Sequence, residues 1–266
     1  MVKDVKEYRA NQPRAGTIKL YADFKEKWEK EGLKLGRDQL YAILAGEHLL
    51  IRRRKRHKPR TTFSDHLYAK SPDLARGFEA QSPHELYVTD ITYLPLSSGK
   101  FCYLYLMCDA YSHAVVGHKL ADNLKSNNAL DVLLMAEKQR DKSKSTIHHS
   151  DRGFHYCLPR YKRKLIQMGY QPSNTQSSDP RDNSVAERLN GILKEELIYP
   201  FGVLKDVEHA RKRVSLAIET YNNQRLHLSC DLKTPRLIHE GKHLAINRWK
   251  KKSVNQKTSL NYNVNN

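Results

Sequence analysis

The sequence predicts an α/β protein, a mixed sheet flanked by helices and preceded by a small helical segment. Three observations carry this expectation. From Leu86 the chain runs through three β-branched and aromatic stretches in close succession, "LYVTDITYLPL", "FCYLYLMCDAYS" and "HAVVGHKL", which read as an antiparallel meander. Helical and short strand-like runs then alternate, giving the order βββαβαβα. Residues 17–51, in contrast, carry their apolar residues at helical spacing.

Taken in order, "TIKLYADFKEKWEKE" places Leu20, Phe24 and Trp28 at four-residue steps, one apolar stripe. Gly32 and Gly36 bracket a turn, and "RDQLYAILAGEHLL" resumes the pattern with Leu40, Ile43 and Leu44. This outline suits a helix-turn-helix and a plain helical hairpin equally. "RRRKRHKPR" follows, and seven of its nine residues are basic: Arg52, Arg53, Arg54, Lys55, Arg56, Lys58 and Arg60. Such a block repels itself and stays extended without an anionic partner. It fits phosphate contacts along a DNA backbone, or a solvated linker.

Past the meander, "SNNALDVLLMAEKQR" reads as a helix capped by Ser or Asn, "STIHHS" as a strand and "YCLPRYKRKLIQMGY" as a helix. "YQPSNT" is a further strand. "DNSVAERLNGILKEELI" and "VEHARKRVSLAIETYNN" are amphipathic helices. The expected organisation is a helix-turn-helix-like DNA-binding segment with its basic run at 1–60 and a linker at 61–83. A core with C-terminal helices follows at 84–242, and a polar tail at 243–266.

Charge narrows the partner. Lys and Arg number 47 against 29 acidic residues, a net charge of +18. A chain this basic usually meets a polyanion, most often nucleic acid, the alternative being charge that merely keeps it soluble. Cys102, Cys108, Cys157 and Cys230 form no C-x-x-C pair and match no zinc spacing, so reduced, structural thiols are expected. The N-terminus has no apolar signal core and no run is long enough for a membrane span. The expectation is a soluble chain in the cytoplasm, with no membrane partner.

Three carboxylates sit at element edges. Asp90 lies inside a strand of apolar and aromatic neighbours, where a charge is costly unless paired or ligating. Asp151 directly follows the strand "STIHHS", and Glu187 lies on the helix "DNSVAERLNG". Oxygen ligands from three elements can hold Mg²⁺ or Mn²⁺, and two such ions can promote displacement at a phosphodiester. Glu187 and Lys194 are seven residues apart, so they share a helix face with Asn190 and Gly191 between them. Taken singly, Asp151 is as readily a helix cap and Glu187 a surface residue paired with Lys194.

Together, "VTDITYL", "HHSDRGFHY" and "DNSVAERLNGILKEEL" resemble the DDE signature of retroviral-integrase-type transposases, with 35 residues between Asp151 and Glu187. More closely, residues 17–242 resemble the second-frame (OrfB) catalytic protein of insertion-sequence family 3 elements, including "YNNQRLHLSCDLKTP" after the carboxylate-bearing helix. The resemblance implies an RNase H-like five-stranded mixed sheet and two divalent ions, Mg²⁺ or Mn²⁺, held by Asp90, Asp151 and Glu187 as catalytic residues. It implies that Lys194 contacts the DNA of the element's terminal repeats. It also implies a fusion with an upstream-frame product, a homo-oligomer on DNA, and a bacterial, nucleoid-associated location. Two positions depart from the family pattern: Tyr87 stands where Trp is usual, and Leu226 follows Arg225 where Pro is common. His149 is a candidate for a supporting or substrate-side role, beside the plainer reading of His148, His149 and His155 as packing or surface groups.

The function expected from this is a DDE transposase that cleaves and transfers DNA strands. The alternatives are an RNase H-like nuclease without joining activity and a non-catalytic DNA-binding repressor from a decayed element.

Overall fold

A computed structural model describes residues 1–51, 66–176 and 183–242. The basic run Arg52 to Arg60 and the polar tail from residue 243 lie outside the described residues. Five strands form one sheet in the order β3-β2-β1-β4-β5. β1 (Leu86–Pro95), β2 (Phe101–Asp109) and β3 (Val115–Ala121) make the antiparallel meander, while β4 (Thr146–Ser150) pairs parallel to β1 and β5 (Tyr170–Asn174) parallel to β4. This is the mixed five-stranded sheet expected from the sequence, with helices crossing over between the parallel strands as such pairing requires.

Both faces of the sheet are covered, and strand alternation sorts the side chains between them. Leu86 and Val88 of β1, with Leu104, Leu106 and Cys108 of β2, pack under α7 (Ser184–Ile192) and α8 (Val207–Asn223) through Leu189, Ile192, Val214 and Tyr221. Tyr87, Tyr105 and Met107 face the other way, onto α4 (Asn127–Glu137) and α6 (Pro159–Gln167) through Leu133, Ala136, Tyr161 and Leu165. Tyr87 is fully buried, and its hydroxyl lies 2.7 Å from His84 Nδ1. Leu226 is also buried.

The N-terminal residues form three helices, α1 (Val2–Asn11), α2 (Thr17–Lys30) and α3 (Arg37–Gly46), around Val5, Leu20, Trp28, Leu40 and Leu44. The pair α2 and α3 matches the sequence expectation, whereas α1 was not legible there. It buries one apolar side chain, Val5. Its anchor is Asp4, which accepts hydrogen bonds from Trp28 Nε1 at 2.8 Å and Lys27 Nζ at 2.6 Å. Those bonds hold the Asp4 carboxyl well below the usual carboxylate range.

Three local expectations are corrected. The stretch 156–170 is not one helix: α5 (Phe154–Cys157) stops at Leu158, whose ψ of 133° is the extended geometry forced by Pro159, and α6 starts at that proline. The helix carrying Glu187 changes pitch, running α-helical to Ile192 and π-helical over Leu193–Ile198. Ser126 precedes α4 without a capping bond from its side chain, and Asn128 Nδ2 instead donates to Asn123 O at 3.1 Å.

Gly117 of β3 lies directly against α4. A Cβ there would lie 2.5 Å from Val132 O and 3.1 Å from Val132 Cγ1 of α4. Backbone on both sides leaves little room to give. Gly117→Ala is expected to cost about 1–3 kcal/mol, read as a lowered urea midpoint with an unchanged slope.

Candidate active site

The register of β1 and β4 builds the site. The two strands run parallel with Thr89 opposite Ser150, so the next residues, Asp90 and Asp151, leave the pairing side by side. Parity places Asp90 on the face of Leu86 and Val88, the face that α7 covers. There Asn190 Nδ2 of α7 donates to Asp90 Oδ2 at 2.7 Å, and Ile91 N donates to Oδ1 at 2.8 Å. Asp151 Oδ1 accepts from Gly153 N at 2.9 Å, which folds the chain back towards α5. A Cβ on Gly153 would come within 2.8 Å of that same oxygen, so glycine is what the loop geometry accommodates.

The electrostatics are those of crowded negative charge. Burial raises the Asp90 pKa most, and the charges of Asp151 and then Glu187 raise it further, while Lys194 opposes the shift. Burial likewise raises Asp151, against the Gly153 N–H, Arg152 and His66. His66 Nε2 lies 2.9 Å from Arg152 O, which brings the connector before β1 to this loop. Burial lowers the Lys194 pKa, and the neighbouring Asp90 charge works against that change. The structure therefore brings Asp151, Glu187, Asn190 and Lys194 within reach of Asp90. A set of carboxylate oxygens with an excess of negative charge suits a hard divalent cation.

His149 sits elsewhere in the local network. It is buried, with Nδ1 2.8 Å from Ser173 Oγ of β5 and 3.8 Å from Asp73 Oδ1. His148 is also buried, with Nε2 3.0 Å from Tyr161 Oη. Burial pushes the His148 pKa down to about 3, so the ring is neutral at ordinary pH.

Several supporting residues escaped the sequence reading. Asn183 Nδ2 donates to Thr89 O at 3.2 Å, tying the start of α7 to the residue before Asp90. Arg225 grips Glu196 through Nε and Nη2, both at 2.9 Å, and Lys19 Nζ of α2 lies 3.5 Å from Glu196 Oε2. Asn222 clasps the backbone of Val115, its amide taking the N–H and giving a hydrogen bond to the C=O, each at 2.9 Å. For Asn222 and Arg225 the available signal was the polar segment "YNNQR" that holds them. A cleft of about 540 Å³ lies between Tyr8, Gln12 and Asp23 on one side and Gln224, Leu226 and Lys233 on the other. It contains none of the three carboxylates.

The raised Asp90 pKa sets a pH dependence. A carboxyl whose pKa is higher folded than unfolded binds its proton more tightly in the fold, so stability falls as pH rises through the unfolded value, near 4. Asp90→Asn removes the charge, and the buried, unpartnered Oδ1 of Asn190 can take the new amide N–H. Without divalent ions, Asp90→Asn is expected to be more stable than the wild type at about pH 8 by at least about 1 kcal/mol. The gain should shrink towards zero near pH 4, as read from urea melts in chelator at the two pH values.

The sequence matches the integrase core domain over residues 80–180 and a second integrase core domain family over 168–235. A protein of Mycobacterium tuberculosis (strain ATCC 25618 / H37Rv) named for insertion sequence element IS986/IS6110 is 32% identical over 177 residues, 64% of this chain and 63% of that protein. The transposase for insertion sequence element IS629 of Shigella sonnei is 31% identical over 202 residues, 74% of this chain and 65% of the relative. The insertion element IS600 31 kDa protein of Shigella sonnei is 30% identical over 214 residues, covering 80% of this chain and 76% of that protein. The chain thus spans just under two thirds of the length of the first two relatives. In fold it is similar to a chain of the simian T-cell lymphotropic virus intasome in complex with PP2A regulatory subunit B56 gamma, with a TM-score of 0.53, 18% identity, and coverage of 89% of this chain and 79% of that one. Relatives from insertion elements, two integrase core matches and an RNase H-like sheet agree that the chain belongs to the DDE transposases of the insertion-sequence family 3 type.

Proposed function

We propose that the chain cleaves DNA at the ends of an insertion element and joins the freed 3′-hydroxyl to a target phosphodiester. The observation that carries this reading is the side-by-side placement of Asp90 and Asp151 across β1 and β4, with the Glu187 charge acting on Asp90 from α7. Asp90, Asp151 and Glu187 would hold two Mg²⁺ or Mn²⁺ ions as the catalytic carboxylates. Bound there, such ions supply charge stabilisation at phosphodiester oxygens and a more acidic attacking group.

The remaining work falls to the chain. Asn190 fixes the Asp90 carboxylate through its amide, and the Gly153 N–H fixes that of Asp151. Lys194, two turns along from Glu187, offers a cation to a DNA phosphate. The basic residues Arg52, Arg53, Arg54, Lys55, Arg56, Lys58 and Arg60 add phosphate contacts that are blind to sequence, and α2 with α3 forms the helix-turn-helix-like segment beside them. His149 supports the site from β4 rather than touching substrate. The division into 1–60, 61–83, 84–242 and 243–266 follows from these roles. The whole protein acts as a homo-oligomer on DNA in the bacterial cytoplasm, fused to the upstream-frame product.

Labelled element ends incubated with the chain and Mg²⁺ are expected to give cleaved and joined strands. Asp151→Asn should lower both by on the order of 10³-fold or more while DNA binding persists. Cleavage with no joined product marks a nuclease, and transposition that survives Asp151→Asn marks a DNA-binding repressor. Replacing Arg52, Arg53, Arg54 and Arg56 with Gln should flatten the slope of log K against log salt by roughly 3–4. An unchanged slope makes the run a linker.

A further inference from the structure

We propose that His84, Asp109 and His239 form a second metal site, separate from the DDE carboxylates, that takes one Zn²⁺ ion and fastens three distant parts of the chain together. His84 lies in the connector just before β1, Asp109 is the last residue of β2, and His239 is the last residue of α9 (Pro235–His239). One donor atom from each lies within 4.8 Å of the others. A zinc ion bound at its usual ligand distances places donors roughly 3.3 Å apart, so side-chain adjustments of about 1 Å close the set. Two imidazoles and one carboxylate are a borderline donor set, suited to Zn²⁺ and poorly suited to Mg²⁺.

Four features point to a ligand. Asp109 has no exposed surface, and among the described residues no Lys or Arg lies within ion-pair distance of it. Its carboxylate accepts hydrogen bonds from Ser112 N at 2.7 Å, Ser112 Oγ at 2.9 Å and His84 N at 2.6 Å, and His239 Nδ1 lies 3.9 Å from its Oδ2. His239 is 7% exposed, and its Nε2 is buried without a hydrogen-bond partner, a cost that a bound cation would remove. Each histidine has its other ring nitrogen beside an oxygen, His84 Nδ1 at 2.7 Å from Tyr87 Oη and His239 Nδ1 at 3.1 Å from Ser112 Oγ. Metal-binding histidines are oriented by such outer partners. Finally, His84 adopts a φ of 71°, a left-handed conformation that costs a residue with a Cβ. Glycine or asparagine would sit there with less strain, yet the chain has an imidazole, whose ring centre is 4.5 Å from that of His239.

Burial pushes the His239 pKa down to about 4 and lowers that of His84, so both rings are neutral at ordinary pH and have a lone pair to give. The site would clip the connector and α9 to the end of β2, on a part of the sheet that the catalytic reading does not use.

The test uses the full chain carrying Asp151→Asn, which weakens metal binding at the carboxylates, after chelator treatment. Zn²⁺ is titrated against a chromophoric chelator, with Co²⁺ absorption reporting ligand geometry. One equivalent of Zn²⁺, a raised melting temperature and a tetrahedral Co²⁺ spectrum are expected. His239→Ala should weaken the affinity at least about 10-fold. So should His84→Asn, which keeps a residue tolerant of positive φ and therefore keeps the fold. Equal Zn²⁺ affinity in the parent and in His84→Asn overturns the proposal. A parent whose melting temperature Zn²⁺ does not move overturns it too, leaving a hydrogen-bonded latch.

Discussion

The parallel pairing of β1 with β4 is the constraint on which the rest of the molecule depends. A parallel neighbour requires a crossover, and here the crossover includes the meander's return and α4. The register then decides which residues emerge together, and a one-residue slip would turn Asp90 to the opposite face. Thr89 opposite Ser150 is the single pairing from which the adjacency of two carboxylates follows. Around it the chain has built a covered sheet, with α7 and α8 on one face and α4 and α6 on the other. The apolar burial on both faces holds two like charges near one another in a place that would otherwise repel them.

Local conflict arises at this point, as it does again at the buried Asp109 that ends β2. Over most of the sheet, strand alternation, helix amphipathicity and burial agree, as in Leu104, Leu106 and Cys108 facing one helix layer while Tyr105 and Met107 face the other. Where the pairing of β1 with β4 ends the agreement stops, and an acidic group replaces the expected apolar one. Such exceptions are what functional sites are made of, because a group that titrates out of its usual range can be used.

Much of this was legible in one dimension. The strands announced themselves through β-branched and aromatic runs, and Asp90 stood out because a charge inside such a run is costly. The spacing of Glu187, Asn190 and Lys194 on one helix was equally plain. What stayed hidden depended on partners distant in the chain or on single-residue geometry. α1 owes its place to Asp4 meeting Trp28, which no periodicity within ten residues reveals. The break at Leu158 was signalled by Pro159, but the apolar pattern on either side obscured it. The π-helical turn, the fit of Gly153 against Asp151 and the grip of Arg225 on Glu196 are tertiary facts with no local signature.

Glu196 has a consequence beyond its own hydrogen bonds. It sits on the π-helical turn two residues past Lys194, with both oxygens taken by Arg225 and one also close to Lys19. α2 and the carboxylate-bearing helix therefore share a charged hinge pin. Cutting away the N-terminal helices would not trim an appendage. It would take one of two cations from a partly buried carboxylate and leave Arg225 alone to hold it. The ion pair of Lys19 with Glu196 thus ties α2 to the helix carrying Lys194 without passing through the sheet.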